Sequence, residues 1–159
     1  MPTVATPTQA SPPIRGFSLA CTIIGGLYVL LGLSMVVRGA QNAMAQFEVP
    51  DLVLSSPHFR DFFHWVFVHM MVLGVMIVML GRFVTDGRSQ RIVATVLTIV
   101  ELHYTYLDFR TSDSPLGNRL YHGSGSLVPP MIDVLVTCTF AFFAIRGWLG
   151  DRVSSSAVR

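Results

Sequence analysis

Five ionisable residues interrupt the long apolar runs of this chain, and their side chains could support acid–base or metal chemistry. His64 and His69 lie in the second run, Glu101 and His103 in the third, and Asp133 in the fourth. Ionisable groups inside a bilayer are costly, and they usually face the interior of a helix bundle or a water-filled cavity. The five residues therefore indicate where a site lies, but they assign no catalytic residue.

The apolar runs that must position these residues are long enough to cross a membrane, which takes about 20 residues as a helix. Of the 159 residues, 52% are hydrophobic and 13% are charged, with a mean hydropathy of +0.57. A soluble domain carries about 25% charged residues. The sequence therefore predicts an all-α, integral membrane four-helix bundle, with spans over about 17–37, 62–80, 92–107 and 127–145.

The segments outside this bundle are short and polar. Residues 1–15 contain four prolines among Thr, Ser and Ala, which predicts a disordered cytoplasmic tail. Residues 16–148 form the predicted transmembrane domain, and residues 149–159 form a second cytoplasmic tail. Residues 43–45 resemble a signal-peptidase site, but the preceding apolar run exceeds the roughly 7–15 residues of a secretory signal. We therefore expect a retained first helix.

The polar residues of three predicted helices fall at a similar depth. His69 and Glu101 are each seven residues from the outer ends of their helices, at about 1.5 Å of rise per residue. Asp133 lies six residues inside the start of the fourth run. The inner halves of the helices carry almost no ionisable groups. We therefore expect a polar layer in the outer leaflet.

The third helix presents two polar stripes, of which one should face the interior. The first contains Glu101, Thr105 and Asp108, and the second contains His103, Tyr106 and Arg110. We expect the first stripe inside, because a lipid-exposed glutamate at this depth is harder to accommodate than a histidine or tyrosine near the boundary. The expected neutralising partners of the buried acids are His69, His103, Arg110 or Arg119.

The polar layer could hold a metal ion or a haem. A metal site could use His69, Glu101, His103 and Asp133, which are suitable first-row metal ligands, but their spacing matches no ligand motif. Tyr104 stands three residues after Glu101, so the Glu-x-x-His pattern of di-iron bundles is absent. A haem held between His69 and His103 would rest on two histidines alone. We predict no cofactor, with metal and haem left open as alternatives.

The interpretation that we favour for the polar layer is an internal network of salt bridges and hydrogen bonds that holds the bundle together, with a ligand or partner in the outer cavity. Acid–base chemistry on a lipid-soluble substrate is an alternative.

The third connection carries a distinctive mixture of Tyr, Asp, Arg and Gly. Residues 104–121 read YTYLDFRTSDSPLGNRLY and continue as HGSGSLVPP to residue 130. This stretch resembles the signature loop of small bacterial membrane proteins of the BphX-like family, and the chain length fits over about residues 17–146. The resemblance implies a four-helix fold in a bacterial inner membrane, but no activity. Turn residues such as Ser114 and Gly117 favour a loop that folds back over the bundle mouth.

These observations predict a small membrane protein that binds a ligand or lipid, or acts as an accessory subunit of a larger membrane complex. The alternative is a membrane enzyme that uses His/Glu acid–base or metal chemistry on a hydrophobic substrate. The candidate polar-layer residues are His64, His69, Glu101, His103, Asp108, Arg110 and Asp133. Membrane lipids are the expected partners, and no basic cluster suggests nucleic acid.

Arginine asymmetry predicts the orientation. The termini and the second connection hold Arg15, Arg82, Arg88, Arg91, Arg146, Arg152 and Arg159, whereas the other two connections hold Arg38, Arg60, Arg110 and Arg119. Because positive residues concentrate on the cytoplasmic side, both termini should be cytoplasmic. Reporter fusions at Arg159 and within residues 108–126 should then report opposite compartments. An external carboxyl terminus would contradict this orientation.

Overall fold

The computed structural model describes residues 11–47, 49–119, 121–123 and 125–156. These residues form five α-helices and no strand, which confirms the predicted all-α class. The helices are α1 (Phe17–Met44), α2 (Asp51–Leu54), α3 (Pro57–Phe83), α4 (Gly87–Thr111) and α5 (Val128–Ser156), with a 3₁₀ turn over Ala45–Phe47. The four long helices are long and apolar enough to span a membrane, so the protein is membrane-integral.

Each long helix extends beyond the apolar run that predicted it. Helix α3 begins at Pro57 and α4 ends at Thr111, several residues outside the predicted spans. Backbone hydrogen bonding continues past the hydrocarbon, so hydropathy marks the span and not the helix end. Helix α1 is interrupted at Gly39, whose φ of 71° departs from helical geometry and bends its last turns.

The helices pack as two antiparallel pairs, α1 with α3 and α4 with α5. Helices α1 and α3 approach closely at Gly25 and Gly74, where an added Cβ at either position would collide with the backbone carbonyl of the other. Gly32 lies similarly tight against the backbone of α3. By contrast, a Cβ added at Gly26 would meet no atom of a neighbouring helix within 4 Å. The contact face is therefore the adjacent one, which contains Gly25 and Gly32.

An apolar cluster joins the two helix pairs near the chain termini. It contains Phe17, Cys21, Ile24, Tyr28, Ile77, Ala94, Leu97, Val136, Phe140, Phe143 and Ala144. Phe17 and Phe143 meet edge to face with ring centroids 5.8 Å apart. We call this end of the bundle the terminus side. The opposite end, which carries residues 45–56 and 112–127, is called the loop side.

Residues just before α1 are held against the connection between α3 and α4. The Ser11 backbone N–H donates to Asp86 Oδ1 at 3.0 Å, and the Ile14 N–H donates to Gln90 Oε1 at 2.6 Å. Asp86 also caps α4, because its carboxylate accepts a hydrogen bond from the Ser89 backbone N–H. This hydrogen bond is the main cause that lowers the pKa of Asp86. Residues 11–15 of the predicted disordered tail are therefore hydrogen-bonded, whereas residues 1–10 lie outside the described residues.

The glycine contact between α1 and α3 should control bundle stability. Gly25→Val would push a side chain into the α3 backbone and should cost about 1–3 kcal/mol, the usual range for overpacking. Gly26→Val is the matched control, because its neighbouring space is open. Thermal unfolding in mild detergent should show a lower midpoint for the first variant only. Equal midpoints would contradict the close approach.

Candidate functional site

A buried hydrogen bond joins the two helix pairs within the membrane span. The Tyr28 hydroxyl of α1 donates to Glu101 Oε2 of α4 at 2.6 Å. Glu101 is 0% exposed, and its second oxygen, Oε1, has no hydrogen-bond partner among the residues that the structure describes. A buried acceptor without a partner is costly, and such groups are rare in folded proteins. Glu101 Oε1 therefore marks a place where a further donor would be stabilised.

Two more carboxyl groups lie between α4 and α5, closer to the loop side. Asp108 and Asp133 are half-buried and interact electrostatically with each other. Asp133 also interacts electrostatically with Glu101 and Tyr28. We call Tyr28, Glu101, Asp108 and Asp133 the carboxyl cluster. It brings three acidic side chains from two helices into one interior region.

Neutral hydroxyl groups adjoin this cluster. Thr105 stands one helical turn after Glu101, and its Oγ1 is hydrogen-bonded to Thr137 Oγ1 of α5 at 3.0 Å. Glu101, Thr105 and Asp108 therefore occupy the inward stripe of α4, as the sequence predicts. The second stripe is exposed, as predicted, and contains His103, Tyr106 and Arg110.

The expected cationic partners are not beside the carboxyl groups. Arg110 donates to the Tyr106 hydroxyl at 3.4 Å, and Arg119 pairs with Asp113 at 3.6 Å. In the part of the chain that the structure describes, neither arginine nor histidine contributes to the environment of Glu101, Asp108 or Asp133. The acids are therefore buried with a tyrosine and with each other, and the pairing suggested by sequence is absent there.

The three histidines of the predicted polar layer face outward. His64, His69 and His103 are all exposed on the helix surfaces. His69 Nδ1 lies 2.8 Å from the Trp65 carbonyl oxygen, and the two rings are 4.1 Å apart. The structure therefore does not bring His69 together with Glu101. His69 and Glu101 are equally far from the ends of their predicted spans, but His69 points outward and Glu101 points into the bundle.

The distinctive third connection folds back over the loop side of the bundle. The Tyr121 N–H donates to the Thr111 carbonyl at 3.2 Å, and the His122 N–H donates to the Phe47 carbonyl at 3.0 Å. The Tyr121 ring also packs against the Phe47 ring, with centroids 5.5 Å apart. Burial, with a smaller contribution from Asp108, raises the pKa of Tyr121. Tyr121 therefore lies within electrostatic range of Asp108.

A glycine fixes the tight turn in this connection. A Cβ at Gly117 would collide with the Ser112 carbonyl oxygen, so no larger residue fits this backbone path. The Asn118 N–H donates to the Arg110 carbonyl at 2.8 Å and returns the chain toward α4. This turn lies shortly before Tyr121, which contacts Thr111 and Phe47.

Sequence analysis did not identify Tyr28 or Tyr121 as members of the site. Tyr28 sits within a run of Leu, Ile and Val, and a buried tyrosine hydroxyl needs a hydrogen-bond partner. This need for a buried partner is the feature of the sequence that could have pointed to Tyr28. Tyr121 carried no comparable signal, because its contacts depend on the fold of the connection.

The described residues contain no group of three or more His, Cys, Asp or Glu side chains arranged to hold a metal ion. His69 and His103, the pair considered for haem, are both exposed. The carboxyl cluster itself contributes carboxyl and phenol oxygens, which can accept hydrogen bonds from a donor. The expectation of no cofactor stays a prediction.

Comparisons with known proteins do not assign the chain to a family. No family model matches it, and neither a curated protein nor a solved structure does so. The resemblance of residues 104–130 to the BphX-like family therefore stays a prediction.

Replacing Glu101 should separate its structural role from its charge. Glu101→Ala leaves the buried Tyr28 hydroxyl without an acceptor and should destabilise the protein by about 1–3 kcal/mol. Glu101→Gln retains an acceptor for Tyr28 and should have a smaller effect. His103→Ala is the control on the exposed stripe, with an expected change within about 0.5 kcal/mol. Unfolding in detergent measures all three, and equal tolerance of Ala and Gln would contradict the buried bond.

Proposed function

We propose that this protein is a non-enzymatic bundle that binds a small ligand at its carboxyl cluster, in the half of the membrane near the loop side. The ligand would present a hydrogen-bond donor or a positive charge to the carboxyl oxygens. We place the chain in a bacterial cytoplasmic membrane with both termini in the cytoplasm, so that the cluster lies toward the outer leaflet.

The unpartnered Oε1 atom of Glu101 carries this proposal. It is buried in an apolar bundle, and Tyr28 satisfies only the other oxygen of the same carboxyl. Acidic residues within membrane spans commonly mark sites for ions, protons or polar ligands. A ligand that donates a hydrogen bond to Oε1 would offset the free-energy cost of desolvating that atom. The hydrogen bond from Tyr28 does not offset this cost, because it is made to the other oxygen.

An accessory role in a larger membrane complex is the second candidate. His69 and His103 are exposed on α3 and α4, whose outward faces also carry many apolar side chains. Ionisable groups that face lipid are unusual, whereas a protein neighbour could provide them with polar contacts. This role would use the outward surfaces of α3 and α4, and it does not require the carboxyl cluster.

The enzymatic alternative has less support. Acid–base chemistry with a histidine and Glu101 needs the two side chains within hydrogen-bond reach, directly or through one water. His69 is instead held to the Trp65 carbonyl on the exposed side of α3. A carboxyl-only mechanism would lack the histidine on which the alternative rested.

Native mass spectrometry of the protein in lipid nanodiscs tests the binding proposal. The wild-type protein should carry a small molecule or lipid that is lost in Glu101→Gln and Asp133→Asn. Asp61→Asn is the matched control, because Asp61 is an exposed acid of α3 on the loop side. Circular dichroism should show the same helix content for all variants.

The controls separate the two candidates. A stoichiometric protein partner that is lost in His69→Ala and His103→Ala, but retained in Glu101→Gln, would favour the accessory role. A ligand that stays bound in both carboxyl variants would contradict binding at the cluster. Absence of any bound molecule from the folded wild-type protein would also count against the ligand proposal.

A further inference from the structure

The loop-side end of α1 and the short helix α2 enclose a cleft. Helix α1 departs from helical geometry at Gly39, and the chain then passes through the 3₁₀ turn Ala45–Phe47 into α2. The last turn of α1, residue 49 and α2 with its C-cap line a cleft of about 530 Å³. Sites for small ligands commonly have volumes of about 300–1,000 Å³. The cleft is therefore large enough to hold a lipid headgroup.

The cleft lies at the level of the membrane boundary. Its lining residues fall within positions 41–55, between the apolar run that ends at Val37 and the run that begins at Phe62. Phe62 and Trp65 are exposed and stack with ring centroids 6.1 Å apart, as expected for aromatic side chains near the headgroups. Leu52 of α2 is 84% exposed, and contact with lipid would remove this side chain from water. The cleft therefore adjoins the headgroups of the loop-side leaflet.

The lining combines an apolar floor with polar groups. Met44 is buried and Val49 and Leu54 are half-buried, whereas Gln41 and Asp51 are exposed. The salt bridges within the described residues involve Asp113 and not Asp51. The Asp51 carboxylate and the Gln41 amide oxygen are acceptors, and a primary ammonium group supplies three N–H donors. This part of the cleft therefore suits an ammonium group attached to an apolar body.

A positive charge stands at the rim of the same cleft. Arg60 of α3 donates to the carbonyl oxygen of Ser55, which lines the cleft, at 3.4 Å. Arg38 of α1 donates to the Asn42 carbonyl at 3.3 Å, next to Gln41. A guanidinium group has five N–H donors, so either arginine keeps donors that could bind a phosphate oxygen. The complementary headgroup is therefore a zwitterion with one ammonium and one phosphate.

We infer that this cleft binds the headgroup of phosphatidylethanolamine from the loop-side leaflet. The ammonium donates to Asp51 and Gln41, the phosphate accepts from Arg60, and the acyl chains leave past Leu54 and Leu52 into the bilayer. Phosphatidylglycerol would bring no cation to Asp51, and the trimethylammonium group of phosphatidylcholine has no N–H to donate. The site is distinct from the carboxyl cluster, and the inference does not depend on the ligand proposed there.

Lipid competition in nanodiscs tests this selectivity. The protein is placed in equal amounts of phosphatidylethanolamine, phosphatidylcholine and phosphatidylglycerol with identical acyl chains, and native mass spectrometry counts the lipids that it retains. The wild-type protein should retain phosphatidylethanolamine with a preference of about tenfold, because one hydrogen bond to a charged group contributes at least this factor. Equal retention of phosphatidylcholine, or a preference for phosphatidylglycerol, would overturn the inference.

Two variants assign the preference to the cleft. Asp51→Asn should reduce the preference to about that of a neutral acceptor, whereas Asp61→Asn, an exposed acid of α3 on the loop side, should retain it. Ala45→Leu leaves the charges unchanged but adds volume inside the cleft, and it should lower the retention of phosphatidylethanolamine. Circular dichroism should show the same helix content in all variants. A preference that is unchanged in both Asp51→Asn and Ala45→Leu would overturn the cleft as its origin.

Photochemical labelling locates the bound lipid. Phosphatidylethanolamine with a photoreactive group on an acyl chain near the glycerol should label peptides from residues 41–55, and less so in Ala45→Leu. Labelling spread evenly over the four membrane-spanning helices would contradict a defined site. Glu101→Gln should leave the lipid preference unchanged, and Asp51→Asn should leave any molecule at the carboxyl cluster bound. A lipid preference that is lost in Glu101→Gln alone would assign the lipid to the carboxyl cluster and overturn the cleft site.

Discussion

The hydrogen bond between Tyr28 and Glu101 is the constraint around which the membrane span is organised. Both groups are buried among apolar side chains, and neither could be left unpaired there without a large desolvation cost. The bond fixes α1 against α4 and so joins the two antiparallel pairs. The close backbone contact at Gly25 and Gly74 places α1 deep enough in the bundle for the Tyr28 hydroxyl to reach its acceptor.

The bundle is polar at one end of its interior and apolar at the other. Phe17 and Phe140 are fully buried on the terminus side, whereas Asp108 and Asp133 are half-buried toward the loop side. This asymmetry disfavours a continuous path across the membrane, because a proton or ion would have to leave its oxygen ligands within the apolar cluster. It favours a site that opens toward one compartment.

The third connection belongs to this site rather than to the solvent alone. Its turn at Gly117 and its hydrogen bond to the Phe47 carbonyl hold Tyr121 against the Phe47 ring on the loop side. The connection therefore couples the kinked end of α1 to the ends of α4 and α5.

The sequence by itself determined the membrane class, the four spans, and the inward stripe of Glu101 and Asp108, because hydropathy and helical periodicity are local properties. It also predicted that His103 lies on the outward stripe of α4, but it did not predict that His69 faces away from Glu101, since His69 could turn outward at little cost near the boundary. Only the tertiary structure decided that Tyr28 is the partner of Glu101. That pairing depends on how closely α1 approaches its neighbours, which is set by backbone contacts between helices and is not encoded by the spacing of residues within any one of them.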